Sequence, residues 1–250
     1  MNAQGSSRMR RFFSRKRNIA ITAGIAVVAV AGIATGLATT SGASSSTSAN
    51  GTRAPFAAAG GAGGGQGSNA RSTNEPGGTS GTVSGVSSSG FTVTTTVGGK
   101  ITVNESSSTT YADASTGTST ASAASAITTG AGVLVLGTVN STTIAATQVT
   151  IEPAGSPYTT ASSDVTAMQQ GQANTSQSYG TIPSDYVEGQ GTIVGTSTAD
   201  EAVQTALQKY PGGIVDRVVQ LANGDYEVHD IGTNIHHVFE NSNFQVIGAN

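Results

Sequence analysis

The sequence predicts an α+β protein with a distinct all-β part. The expected order is an N-terminal transmembrane helix, a disordered Gly/Ser linker, a small β-barrel, a second linker, and a C-terminal helix packed on an antiparallel sheet. Three observations carry that expectation. Charged residues make up 10% of the 250 residues and aromatic residues 5%. The Gly, Ser, Thr and Ala stretches between them bury too little apolar surface to offset chain entropy, so small folded units are set among linkers. One uncharged apolar run, Ile19 to Ala38, stands directly behind a basic cluster. Two later regions alternate apolar and polar residues between turn signals, and the second opens with a helical repeat.

Residues 1–17 hold Arg8, Arg10, Arg11, Arg15, Lys16 and Arg17, six of the eleven bases of the chain. Residues 18–39 are the expected signal-anchor, since about twenty helical residues reach ~30 Å, the thickness of the hydrocarbon core. The positive-inside rule keeps the basic flank in the cytoplasm and places the rest of the chain outside, as in a single-pass membrane protein. A signal-peptide apolar region is ~7–15 residues, shorter than this run, which favours a retained anchor. Ser41-Gly42-Ala43 is nevertheless a small-x-small cleavage site, and cutting there would give a secreted protein. Arg10-Arg11-Phe12-Phe13 resembles part of a twin-arginine export signal. Residues 40–80 read as a tether of ~35 Å r.m.s. span. Its GGAGGGQG run has neither the leading strand nor the Lys of a phosphate-binding loop.

Residues 81–152 switch to β periodicity. Gly81 to Val86 is a strand, Phe91 to Val97 a second, and Gly98-Gly99 a two-residue hairpin turn into Ile101 and Val103. Val133 to Val139 is continuously apolar, as in a strand buried on both faces. Asn140-Ser141 turns the chain into Ile144 to Ile151. Thr109, Tyr111, Gly130, Gly132, Val133, Val135, Gly137 and Ala146 give this stretch a resemblance to a widespread exported bacterial domain of unassigned function, OB-like in strand order. An OB-like barrel implies nucleic acid as one ligand class. That use needs stacking aromatics and a basic groove, and Phe91, Tyr111 and Lys100 are all this stretch offers.

Residues 153–190 read as a second linker, and residues 191–250 as a second folded unit. Thr198-Ala199-Asp200-Glu201 fits a capping box. Ala199, Ala202, Val203, Ala206, Leu207 and Tyr210 recur at helical spacing, and Pro211-Gly212-Gly213 ends the helix. Ile214 to Leu221 is a strand, Asn223-Gly224 a type I′ turn, and Asp225 to Ile231 the return. Ile235 to Glu240 follows, with Phe244, Val246 and Ile247 closing the unit. Ala202, Ala206-Leu207, Gly212, Val218, Gly224, Tyr226, Val228, Val238, Phe244, Val246 and Gly248 make this region resemble the PepSY domain of exported bacterial proteins. The resemblance implies one helix on an antiparallel sheet and an inhibitory or regulatory role toward a protease or another envelope protein. The end departs from the family pattern, with Asn241-Ser242-Asn243 where relatives often carry Asp and Thr-Gly.

Without the N-terminal cluster the chain carries five bases against fourteen acids, a balance that repels phosphate backbones and argues against a nucleic-acid partner. Cysteine is absent, so disulfides and thiolate metal sites are excluded. No G-x-S-x-G, S-x-x-K or H-E-x-x-H occurs, and Asp216, Asp225, Glu227, Asp230 and Glu240 are scattered over strand and turn positions. No cofactor is expected. His229, His236 and His237 are the candidate metal ligands: a three-residue turn after Ile231 would set His229 across from His237, and a shift of one would set it across from His236. Ordinary exposed histidines are the alternative. The expected protein is non-catalytic and extracytoplasmic, and binds or regulates an envelope protein or a protease in trans. A wall-spanning spacer and a weak metal sensor are the alternatives.

Overall fold

The computed structural model describes residues 72–168 and 178–250, all within one compact unit. The expected segments 1–17 and 18–39, and residues 40–71 of the tether, lie outside the described residues. No helix among the described residues is long and apolar enough to cross a membrane.

Seven strands come first: β1 (Thr73–Ser87), β2 (Gly90–Thr94), β3 (Lys100–Asn104), β4 (Thr110–Asp113), β5 (Thr120–Ala121), β6 (Gly132–Asn140) and β7 (Thr143–Glu152). The short β8 (Tyr179–Gly180) and β9 (Thr192–Ile193) lead to the α-helix α1 (Thr196–Lys209). A meander closes the chain: β10 (Ile214–Gln220), β11 (Tyr226–Ile231), β12 (His237–Glu240) and β13 (Val246–Ala249).

The fold-class expectation is corrected by this topology. The described residues are mostly β, with one α-helix against thirteen strands of a single sheet. The all-β part is not a self-contained barrel beside a helix-on-sheet unit. Pairing runs from β1 through β2, β3, β7 and β6 back to β1, but β1 also pairs with β10, at Gly78↔Val215 and Thr79↔Ile214. That junction depends on Gly77, where a Cβ would overlap the Val215 carbonyl oxygen, so the two backbones meet only because no side chain stands between them.

β6 explains the continuous apolar run. Val133 and Val135 face the interior enclosed by β1, β2, β3 and β7, alongside Phe91, Val103 and Ile144. Leu134 and Leu136 face the other way, under Val203 and Leu207 of α1. Both sets are buried, and each such side chain contributes ~1.5–3 kcal/mol. The helix therefore covers strands from both halves of the chain. It begins at Thr196 with Gly195 as N-cap, and no side chain caps it, so Thr198 is not the cap that its spacing suggests. The first hairpin also differs from a two-residue turn. Its loop spans residues 95–99, because Thr96 donates to the Pro211 carbonyl and Val97 packs against the helix-side core.

Candidate functional site

β10, β11 and β12 pair so that Arg217, His229 and His237 form one cross-strand row, and Val219, Glu227 and Phe239 the next. Directly opposed residues share a face, so these six side chains point away from α1. Val218, Val228 and Val238 form the row on the helix side. The register is the one that sets His229 across from His237. A bulge between Val215 and Arg217 turns Asp216 toward His229.

The histidines are not on the surface. His229, His236 and His237 are at most 4% exposed, and Asp216, Glu227, Asp230 and Glu240 at most 2%. The burial is tolerated because the polar groups pair. His229 Nδ1 lies 2.6 Å from Asp216 Oδ1, and His237 Nδ1 lies 2.7 Å from Glu227 Oε1. The second oxygen of Asp216 accepts from the backbone N–H of Ser72 at 2.7 Å, which ties the start of β1 to the cluster. Arg217 stands 3.9 Å from Asp216 and 4.0 Å from Glu227, one cation between two carboxylates. Tyr186 closes the cluster from outside, its hydroxyl 3.1 Å from His237 Nδ1 and its ring edge-on to Phe239.

Three further groups are buried without such pairing. Burial, then the charge of Asp216, raises the Asp230 carboxyl well above the ordinary range. Its carboxylate lies where a Cβ on Gly213 would overlap it. Burial pushes Glu240 up to about 9, and neither of its oxygens has a hydrogen-bond partner among the described residues. Burial, then His237 and His229, lowers His236, against a smaller raising effect of the Asp230 backbone. Desolvation disfavours the charged form of each, so Glu240 holds its proton and His236 stays neutral at neutral pH.

The expected metal ligands are brought together only in part. The rings of His229 and His237 are 5.3 Å apart and those of His236 and His237 6.4 Å, but the Nδ1 atoms of His229 and His237 are engaged by carboxylates. Among the described residues no group of three or more His, Asp or Glu side chains is placed to hold a metal ion. Sequence reasoning missed Asp216 as a histidine partner, since it reaches His229 through the bulge. It also missed Arg217. The alternation of Glu227-x-His229 and His237-x-Phe239 was the signal that these side chains share a face.

Comparison of the chain with protein-family models, with curated proteins and with solved structures gives no match.

Proposed function

We propose that this chain is a non-catalytic protein of the cell envelope, held outside the membrane through its N-terminal segment, whose folded unit binds or regulates another protein in trans. A protease is one candidate partner, on the strength of the PepSY resemblance. The observation that carries the reading is where the reactive groups sit. Every histidine is sealed beneath side chains and engaged or neutralised, so a substrate has no path to a histidine as general base. The surface instead offers half-exposed aliphatic side chains, Val86, Val187 and Ile193, and shallow depressions. Val187 lines one of these depressions together with Leu221, and apolar side chains grouped in this way suit contact with another chain.

The test is a pull-down from envelope extract with residues 61–250 as bait. A protein retained saturably, and competed off by unlabelled bait, is expected. Retention that never saturates would favour the spacer reading. Zinc titrated into the same bait is expected to give no heat above buffer, and stoichiometric heat would favour the metal sensor.

A further inference from the structure

Asn223 and Gly224 stand in the middle of the loop between β10 and β11, and Asn223 is exposed. The Asn223 side chain is folded over the residues that follow it. Asp225 N–H donates to Asn223 Oδ1 at 2.9 Å, and Asn223 Nδ2 donates to Asp225 Oδ2 at 2.8 Å. The first of these bonds closes a small ring that contains both Asn223 Cγ and the Gly224 nitrogen, so an electrophilic carbon and a nitrogen that can attack it are held together. The same N–H donor draws charge onto Oδ1, as a donor at an oxyanion does. The Asp225 carboxylate sits on the nitrogen that would leave. Gly224 has a φ of 90° and no Cβ to shield its own nitrogen. Its N–H donates to the Leu221 carbonyl at 3.1 Å, toward the long end of the range, and the attack must release this bond.

We infer that Asn223 is a site of self-modification, at which the Gly224 nitrogen displaces the side-chain amide and a carboxylate is left in the turn. The Gly224 nitrogen bonds to Asn223 Cγ, and the Cγ–Nδ2 bond breaks. Nδ2 departs as ammonia with the proton that Gly224 loses, and Asp225 carries that proton across. Solvent water then opens the cyclic imide. Addition at Cγ gives aspartate. Addition at the Asn223 backbone carbonyl gives isoaspartate, with the main chain rerouted through the side chain. Water is the one co-reactant, and nothing is oxidised or reduced.

The product bears on residues 181–191, which contain no helix or strand, run between β8 and β9, and carry Tyr186 over His237. Asn223 N–H ties this segment to the turn, donating to Asp185 Oδ2 at 3.0 Å. Conversion sets a third carboxylate beside those of Asp185 and Asp225, in place of the amide that donates to Asp225. Like charges gathered this closely repel. Isoaspartate also lengthens the main chain by one carbon, which spoils the fit of the loop between its two strands. Both changes loosen the segment over His237.

The full chain is warmed at pH 8 and at pH 6, digested, and mapped by tandem mass spectrometry. A gain of one mass unit at Asn223 is expected, at least tenfold faster than at Asn140, which stands exposed before Ser141 at the end of β6. The rate is expected to be higher at pH 8, because the Gly224 nitrogen attacks after losing its proton. Asn50-Gly51 repeats the dipeptide but falls on a separate peptide, so it does not enter the comparison. Asp225→Asn is expected to slow the conversion at least threefold with an unchanged circular dichroism spectrum. Conversion at Asn223 no faster than at Asn140, or an equal rate in the Asp225→Asn variant, would overturn the inference. Native-state hydrogen exchange on the converted chain reads the consequence. The Thr181 and Tyr186 amides are expected to exchange faster than before conversion, with Val228 and Val238 unchanged. Unchanged exchange at Thr181 and Tyr186 would overturn the loosening. No partner enters these measurements, so this site and the protein-binding reading fail separately.

Discussion

Glu240 sits across from Tyr226 on the helix side of the sheet, and burial holds its carboxyl at about 9 instead of the ordinary 4.5. The folded chain therefore keeps a proton that the unfolded chain releases above 4.5, and stability falls as pH rises from 4.5 to about 9. Glu240→Gln removes that dependence. Urea melts are expected to show a gain of about 3 kcal/mol at pH 7 and little gain at pH 5. His236 works in the opposite direction. Its lowered value means that stability is lost as pH falls below the ordinary 6.5, and His236→Leu is expected to flatten the acid limb of the same curve. His229→Ala leaves Asp216 buried beside an empty site, an expected loss of ~3–5 kcal/mol in the same melts. At this scale the sequence was legible as to which residues are polar, and it offered two registers, with His229 across from His237 or from His236, of which the structure has the first. It was not legible as to burial. A histidine on a strand reads as surface until something covers the strand, and the cover here is Tyr186, forty or more positions away in the chain.

Strands and turns were the most legible elements. The apolar run of β6 and the turn that follows it stand where their patterns place them, since period-two alternation and turn chemistry are local properties. The Asn223-Gly224 hairpin is also there, but only Gly224 has a positive φ, of 90°, so the turn is not the expected type I′, and the loop between β10 and β11 spans residues 221–225. The N-terminal half of β1 was not. Glu75-Pro76-Gly77-Gly78 carries every signal of a linker, yet it is strand, because glycine is what allows β6 and β10 to approach it from both sides. Gly77→Ala is expected to destabilise by ~1–3 kcal/mol or more, read as a shifted denaturation midpoint, with the largest increase in amide exchange at the β1–β10 junction. The capping box failed for a related reason. Thr198 has the right spacing, but helix packing against β1 and β10 lets α1 begin at Thr196. Thr198→Ala is therefore expected to change stability by less than about 0.5 kcal/mol, where loss of a true cap costs ~1 kcal/mol.

At the scale of the whole molecule, β1 is the element that makes two sequence regions into one body. It belongs to the β2–β3–β7–β6 ladder and to the β10 edge at once, and α1 lies across the junction. Long-range pairing of this kind leaves no local trace, so pattern reading divided the chain at its low-complexity stretch. Calorimetry of residues 61–250 is expected to give one cooperative transition, where separate domains would give two. The same integration bears on function. With the histidine cluster sealed inside, the protein-binding proposal points to exposed side chains such as Val187 and Ile193. A photo-crosslinking residue placed at Val187 in the membrane-held chain tests this most directly. A single crosslinked envelope protein, saturating with expression and competed by excess 61–250 protein, is the expected result. No saturable adduct at Val187, or the same adducts from a crosslinker placed at exposed Val86, would contradict it.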